Sequence, residues 1–472
     1  MILPPIRRLC WTLTVVLACL SGCTDAPLPP LPALELAGFD ADVVTDLEAA
    51  EAAVLAQPQS PDKNARLARL LHSYGQDAWA AACYTRARLL DEDNFELAYL
   101  HADVLAKQGD RDGAIDALQR ADERRRDYVP ATLRQAALLV ERGQREQARS
   151  LYDRVLNQQP DNPQALLGLA GLTDALPEAT ALLEKAADPR RPFARAHYAL
   201  AAAYRKQGRG DDADEQLGHF ERFKGREPSL ADPILETVSF LNKSKKGQMT
   251  RALVLLGRGN SKGAALLLES VLRKDPGHMP AYTYLIVAYG DLGRHELAHQ
   301  RYETAVELGD VPVQLHGNMG VLKLKNKRYR EAEAFFRKAL AIDDGYALGH
   351  FYLGATLETL GEPAAALAHY SRAVELDPDN RQAGHSLANM KRKLGDYAGA
   401  IEQFERIVAF DDELTPVYLR DMATVYERQD EPALALAALS RASQLATDYQ
   451  LAELATALEN ERQRLERRVA TP

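Results

Sequence analysis

Cysteine is scarce in this chain: there are four among 472 residues, and three of them lie within the first 23. No two cysteines have C-x-x-C spacing, which excludes a haem-attachment or dithiol redox motif. Beyond the first 23 residues only Cys83 remains, so no intrachain disulfide is expected there. Cys83 follows Ala82 in a helical pattern and is predicted to pack in a core.

Long hydrophobic runs and nucleotide-binding motifs are also missing. Apart from the short run "LCWTLTVVLACL", no segment approaches the ~20 apolar residues that span a bilayer. There is no G-x-x-x-x-G-K-[ST] and no G-x-S-x-G, so we expect no cofactor and no small-molecule substrate. The net charge of −9, with acids and bases interspersed, argues against nucleic acid as a partner.

The N-terminus joins Arg7 and Arg8 to the short apolar run and then to "LSGC", residues 20–23. This resembles a bacterial lipoprotein signal, which implies a signal peptide at 1–22 and lipidation of Cys23; the alternative is a plain secretory signal. Cleavage would remove two arginines and no acid, taking the net charge from −9 to −11. Because Thr24 rather than aspartate follows, the resemblance favours the outer membrane, facing the periplasm, over the inner membrane. Residues 23–40 hold four prolines within 27–32 and are predicted to form an extended tether.

The rest of the chain has a period of 34 residues. Glycines recur at this spacing in three runs: Gly75, Gly109 and Gly143; Gly259 and Gly293; Gly361 and Gly395. Lys327 stands where the series would place another glycine, and a small residue such as Ala366 or Ala400 follows each turn position by five. Glycine can end a helix in the left-handed conformation, and a small residue lets two helices approach closely. The pattern therefore predicts repeated pairs of antiparallel helices.

This pattern resembles the tetratricopeptide repeat over residues 61–449. The resemblance implies an all-α fold, a right-handed α-solenoid of antiparallel helix pairs with about 11 repeats in two arms. The first arm, 61–227, would hold five repeats, of which the fourth is shortened, and the second arm, 245–449, would hold six. The predicted units are 61–94, 95–128, 129–162, 163–193, 194–227, 245–278, 279–312, 313–346, 347–380, 381–414 and 416–449.

Three segments depart from the period. Residues 228–244 are half a repeat long; Asp232 with Pro233 is a helix-start signal, and apolar residues follow at helical spacing. We predict one extra helix there, a linker that interrupts the stacking and separates the two arms. Residues 41–58 are predicted to form an N-terminal capping helix, and the polar residues 450–472 a C-terminal solvating helix.

His295-Glu296-Leu297-Ala298-His299 matches H-E-x-x-H, the zinc-peptidase pattern in which two histidines hold the metal and the glutamate activates water. In the repeat, however, Gly293 is a turn glycine and Ala298 is the small packing residue. The motif therefore lies at the start of a second helix, without the sheet and separate third ligand of such enzymes. We interpret it as a repeat segment and expect no metal site and no catalytic residue. A zinc-dependent metallopeptidase using His295, Glu296 and His299 is the alternative, which the metal content of the purified protein would separate.

The resemblance also implies a concave face built from the first helix of each repeat. In the second arm the residues predicted to form a partner-binding groove on that face are Met249, Leu253, Leu256, Val287, Val321, Leu324, Phe351, His385, Asn389, Arg392, Lys393 and Arg420. The groove would be apolar first and basic later, which suits an apolar protein segment with an acidic flank. The other interpretation is that neighbouring helices half-bury the apolar members.

The leading functional hypothesis is a non-enzymatic, membrane-anchored scaffold or adaptor. It would bind proteins or peptide segments in the assembly of a cell-envelope complex for secretion, pilus formation or polysaccharide export. A regulator of the peptidoglycan machinery is a further alternative that the same fold would serve.

Overall fold

The computed structural model describes residues 28–188, 192–228, 230–409 and 411–470. The predicted signal peptide and Cys23 lie outside these described residues. Within them the chain forms 25 helices and no strand, which confirms the predicted all-α fold. None of the helices in this part of the chain is long and apolar enough to cross a membrane.

The contacts divide the chain into two compact units. The first unit holds residues up to Leu138 together with Asp232–Asn242. Its helices are α1 (Ala41–Ala56), α2 (Pro61–Ser73), α3 (Asp77–Leu90), α4 (Phe95–Lys107), α5 (Arg111–Arg124), the greater part of α6 (Val129–Glu141), and α12 (Pro233–Ser239).

The second unit holds Leu139–Ala231 and the residues from Lys243 onward. Its first helices along the chain are α7 (Arg145–Gln158), α8 (Pro163–Gly171), α9 (Leu176–Ala186), α10 (Ala194–Lys206), α11 (Gly210–Arg222), α13 (Lys245–Gly257), α14 (Ser261–Lys274), α15 (Met279–Asp291) and α16 (His295–Leu308). They are followed by α17 (Val313–Lys325), α18 (Tyr329–Ile342), α19 (Ala347–Thr359), α20 (Pro363–Leu376), α21 (Arg381–Lys393), α22 (Tyr397–Ile407), α23 (Thr415–Arg428), α24 (Pro432–Asp448) and α25 (Ala452–Ala470).

The periodic glycines lie where each first helix turns into its second. Gly293 has a φ of 68° and Gly361 a φ of 81°, in the left-handed region that costs glycine little. Lys327 occupies the equivalent turn with a φ of 60°, and Asp430 does so in the last repeat with a φ of 59°. The turn geometry is therefore kept even where the sequence lacks glycine.

Close packing of the two helices in a repeat explains the small residues. Ala366 and Ala400 are fully buried, as predicted. In the facing first helix, Gly354 lies against the ring of Tyr370, where an added Cβ would meet the Cδ1 atom at 2.8 Å. The aromatic ring thus fills the space that the missing side chain leaves.

Helices at the two ends cover apolar surface. In α1, Val43, Leu47, Ala50 and Val54 are buried in one core cluster with residues of α2 and α3. In α25, Leu458 and Leu465 are buried in the cluster of the last repeat. Each of these sets recurs at helical spacing, so each helix buries one face.

The inserted helix lies elsewhere than the sequence suggested. We predicted residues 228–244 as a linker between two arms, but Asp232–Asn242 belongs to the first unit and α12 packs on α2 and α4. Val238 is buried there, and Ile234 and Leu235 are partly buried against the same core. Its apolar face therefore finds partners more than a hundred residues earlier in the chain.

Candidate protein-binding surfaces

The apolar part of the predicted groove begins on α13. Leu253 is 39% exposed, whereas Met249 and Leu256 are half-buried against the core formed by α14 and α15. These three residues follow helical spacing, so they line one side of the helix. An apolar strip is therefore accessible here, with Leu253 as its most exposed member.

Further along the second unit the strip becomes less accessible. Val287 on α15, and Val321 and Leu324 on α17, are half-buried. Phe351 is buried, with its ring centroid 6.1 Å from that of Tyr370. Phe351 is therefore a core residue, because it fills the space between two helices of its own repeat.

The polar end of the predicted groove is a connected cluster. His385 Nε2 lies 2.6 Å from Asp421 Oδ2, and Asn389 Nδ2 lies 2.9 Å from the same His385 nitrogen. Arg392 donates to Asn389 Oδ1 through Nη2 at 3.0 Å. Burial would raise the pKa of Asp421, but the hydrogen bond and charge of His385 outweigh it and lower this pKa. These side chains bind one another across α21 and α23.

The other two predicted cations form ion pairs within the second unit. Lys393 contacts Glu358 on α19. Arg420 donates through Nε to Glu461 Oε2 of α25 at 2.9 Å, and its Nη2 contacts the other carboxylate oxygen. The sequence suggested that these charges would be available to an acidic partner, but each already has an acidic neighbour.

The H-E-x-x-H residues begin α16, as the repeat predicted. His295 Nδ1 lies 3.3 Å from Asn326 Nδ2, and His299 Nε2 lies 3.3 Å from Glu303. The part of the chain that the structure describes contains no group of three His, Cys, Asp or Glu side chains placed to hold a metal ion. The two histidines are directed to different neighbours, so this donor set does not fit the zinc site of a peptidase.

A further surface, which the sequence did not indicate, lies in the first unit. The carboxylate of Asp232 is enclosed by three side chains that we call the carboxylate pocket: Tyr99, Tyr128 and Arg134. Tyr99 Oη donates to Oδ2 and Tyr128 Oη to Oδ1, the latter at 2.8 Å, while Arg134 Nη2 lies 3.3 Å from Oδ2. The side chain of Asp232 is only 10% exposed.

Both tyrosines of the carboxylate pocket remain protonated at neutral pH. Burial, and then the hydrogen bond to Asp232, raise the pKa of Tyr128 to about 12. Burial also raises the pKa of Tyr99 well above its ordinary range, although the charge of Arg134 opposes this. Both hydroxyls therefore serve as donors, which is the role that a carboxylate ligand needs.

The carboxylate pocket is supported by a second, deeper carboxylate. Asp103 on α4 is buried, and it contacts Arg134 Nη1 at 2.6 Å, Lys107 Nζ at 2.7 Å and His72 Nε2 at 3.1 Å. Burial would raise the pKa of Asp103, but the hydrogen bond from His72 and the charges of Arg134 and Lys107 hold it well below its usual range. Arg134 thus bridges Asp103 to Asp232.

Little in the sequence pointed to the carboxylate pocket. Asp232 was recognised as a helix-start residue, and it does cap α12, since Leu235 N–H donates to its Oδ1 at 3.1 Å. Its partners Tyr99 and Tyr128 lie 133 and 104 residues away in the chain. Periodicity identifies them as repeat positions but does not show that they meet one carboxylate.

Cys83 is buried on α3, as predicted. Burial raises the pKa of its thiol to about 12. The thiol is therefore neutral at physiological pH and serves as a small apolar group in the core.

Comparison with known proteins gives three matches to models of the tetratricopeptide repeat, over residues 105–172, 285–347 and 347–380. The chain is 25% identical to Superkiller protein 3 of Schizosaccharomyces pombe over 181 residues, 30% of this chain and 13% of that protein. It is 31% identical to the Hsp70-Hsp90 organizing protein of Triticum aestivum over 100 residues, 21% of this chain and 17% of that protein. The matched segments thus span less than a quarter of each relative.

Among solved structures, PilF of Pseudomonas aeruginosa matches 46% of this chain and 97% of its own, with 19% identity and a TM-score of 0.40. The 34-residue period, the helix pairs with left-handed turns and the three repeat matches agree with one another. This chain is a tetratricopeptide-repeat protein.

Proposed function

We propose that this protein is a non-enzymatic scaffold that binds segments of other proteins through the apolar strip of its second unit. The observation that carries the proposal is the exposure of Leu253 beside half-buried Met249 and Leu256. Val321 and Leu324 on α17 are likewise half-buried apolar residues. Burial of such a strip against a partner gains about 25 cal/mol per Å² of apolar area, before ordering costs.

The partner segment that suits this strip is mainly apolar. From the sequence we expected an acidic flank, to be attracted by Arg392, Lys393 and Arg420. Two of these cations pair with Glu358 and Glu461 and the third binds Asn389, so their attraction for an acidic partner is reduced. Apolar contact is therefore expected to dominate affinity, with weak dependence on salt.

We also place the scaffold in the cell envelope, anchored by lipid on Cys23 and directed to the outer membrane. The sequence "LSGC" at 20–23 and the proline-rich residues after it support this anchor. A tethered interaction protein suits the assembly of a multi-protein envelope complex, such as a secretion, pilus or polysaccharide-export machine. His295 and His299 contact different neighbours, Asn326 and Glu303, and the proposal assigns them no catalytic role.

Leu253→Asp tests the proposed strip. We expect the substitution to remove a partner captured from envelope extract by the full chain, because it places a charge where apolar area should be buried. The helix content from circular dichroism should not change, since Leu253 is among the exposed apolar residues of its helix. Capture should be measured as recovery of the same partner band relative to the unaltered chain.

Leu266→Asp is the matched control, because Leu266 is 66% exposed on the neighbouring helix α14. This variant carries the same change of charge and should retain the partner. If both variants captured the partner equally well, or both lost it equally, the proposal that the partner binds the strip would be contradicted. Unfolding by Leu253→Asp alone would show that the residue is needed for the core instead.

A further inference from the structure

The inserted segment 232–242 lies on the first helices of three successive repeats. Its helix α12 packs on α2 and α4, and the carboxylate pocket adds Tyr128 from the end of the second repeat and Arg134 from the first helix of the third. In this protein the first helices are also where the proposed binding strip of the second unit lies. The segment thus occupies, within the first unit, the kind of surface on which a partner would bind.

The segment makes three kinds of contact along its length, each of a kind that also holds a bound peptide in place. At one end Asp232 enters the carboxylate pocket. In the middle Val238 is buried in the core cluster, and Ile234 and Leu235 pack beside it. At the other end Asn242 Nδ2 donates to the backbone carbonyl of Ser73 at 2.7 Å. One charged anchor, an amphipathic helix and a main-chain contact together fix position and direction.

The segment is not a structural repeat. α12 has seven residues, about two turns, and an isolated helix of this length is not stable in water. It exists because the surface beneath it supplies apolar contacts and a partner for its acidic end. That surface is therefore complementary to an acidic residue followed by apolar residues two, three and six positions later.

We propose that the first unit has a binding surface for a protein segment with this pattern, and that residues 232–242 cover it in the resting chain. The occupant is a short amphipathic helix that begins with Asp or Glu and offers its carboxylate to Tyr99, Tyr128 and Arg134. The covering segment is joined to the protein at both ends, so its effective concentration is high and a partner has to displace it. Binding at this surface is thus restrained until the segment is released.

The covered surface is separate from the proposed strip of the second unit. It is formed by residues of α2, α4 and α6 together with Tyr128, and none of the variants that test it alters Leu253 or α13. Failure of one proposal therefore leaves the other untouched, because the two are measured with different ligands and different substitutions.

The test uses a fluorescent peptide of residues 230–242 as the probe, added to the full chain. Val238→Asp in the chain should release the covering segment without altering the surface below it. We expect the peptide to bind this variant roughly tenfold or more tightly than the unaltered chain, since the competing segment no longer buries a valine side chain at this position. Fluorescence anisotropy measures both affinities.

A double-mutant cycle tests the carboxylate pocket. A peptide carrying Asp232→Asn should bind the Val238→Asp chain more weakly than the original peptide. Tyr128→Phe in that chain should weaken binding of the original peptide, because the carboxylate loses a hydroxyl donor. It should have little effect on binding of the Asn peptide, which has no carboxylate for that hydroxyl to bind. Tyr128→Phe removes a single oxygen and leaves the Arg134–Asp103 contact in place.

Four results would overturn the proposal. The first is failure of the peptide to bind a folded Val238→Asp chain. The second is equal affinity of the peptides with and without Asp232→Asn, which would show that the carboxylate does not contribute to binding. The third is unfolding of the first unit by Val238→Asp, seen in the fluorescence of Trp79. The fourth is hydrogen exchange of α12 amides in the unaltered chain that is as slow as that of α4. Either of the last two would make the segment a permanent part of the core.

Discussion

Asp103→Ala is expected to lower the free energy of unfolding of the first unit by about 3 kcal/mol, the low end for a broken buried ion pair. The carboxylate is only 2% exposed and is the shared partner of His72, Lys107 and Arg134. Its removal leaves cationic groups facing each other around a buried site. The loss stays near the low end because Lys107 and Arg134 are partly exposed and can turn toward water.

Asp93→Ala is the matched control for this prediction, since Asp93 is 78% exposed and pairs with Arg124 at the surface. Such a pair contributes about 0–1 kcal/mol. Urea unfolding followed by Trp79 fluorescence, in a Trp11→Phe background, reports on the first unit alone, because Trp11 and Trp79 are the two tryptophans of the chain. Equal losses for the two variants would show that the Asp103 network contributes little.

The same network predicts a dependence on pH. The folded-state pKa of Asp103 lies below its ordinary value, so its contribution to stability is present above about pH 4 and is lost as the pH falls through the folded pKa. The difference in stability between the unaltered chain and Asp103→Ala should therefore narrow in acid. A difference that stays constant down to strongly acidic pH would contradict this account.

Ala366→Phe is expected to destabilise the second unit by about 1–3 kcal/mol or more, the cost of overpacking a filled core. Ala366 is fully buried on α20 in the cluster that contains Phe336, Leu353 and Tyr370. A ring at this position has to push α20 away from its neighbours. In repeat proteins each unit contacts only adjacent ones, so the Trp79 signal of the first unit should keep its unfolding midpoint.

Ala368→Phe provides the comparison for Ala366→Phe. Ala368 lies two residues further along the same helix but is exposed, so the same ring points to solvent. Its unfolding midpoint, followed by circular dichroism, should remain close to that of the unaltered chain. A midpoint that is unchanged by Ala366→Phe would contradict the packing register on which the fold assignment was made.

The helix pairs could be predicted from the sequence because their determinants are local and periodic. A turn glycine, a small residue five positions later and a larger apolar residue four beyond it predict one helix pair without knowledge of any other. Even the exception was informative: Lys327 stands at a glycine position, and it takes a φ of 60° there. The neighbouring helices hold this turn in place, so the period predicts its geometry better than the residue itself does.

The location of α12 could not be predicted in this way. Its apolar spacing predicted a helix, and Asp232 predicted its start, but neither shows which surface the helix covers. The answer depends on Tyr99 and Tyr128, which belong to repeats more than a hundred residues earlier. The 34-residue period predicts which helices of adjacent repeats contact one another. It does not predict which helices contact a segment that is not a repeat.

The basic end of the predicted groove shows a second limit. Arg420 and Lys393 were recognised as cations on first helices, and charge alone suggested an acidic partner. Their actual neighbours, Glu461 and Glu358, lie 41 and 35 residues away. The sequence shows which charged residues lie on one face of a helix. It does not show which oppositely charged residues of adjacent helices lie beside them. Phe351 illustrates the same limit for apolar residues, since spacing alone does not separate an exposed strip from a buried one.

The central claim, that the strip of the second unit contacts protein partners, is tested most directly by photocrosslinking in the living cell. A photoreactive phenylalanine analogue at position 253 should give a discrete crosslinked product, whereas the same analogue at position 266 on α14 should not. Leu266 is the more exposed of the two native side chains, at 66% against 39% for Leu253, so a missing product at position 266 cannot be attributed to burial. No product from position 253, or the same products from both positions, would contradict the claim.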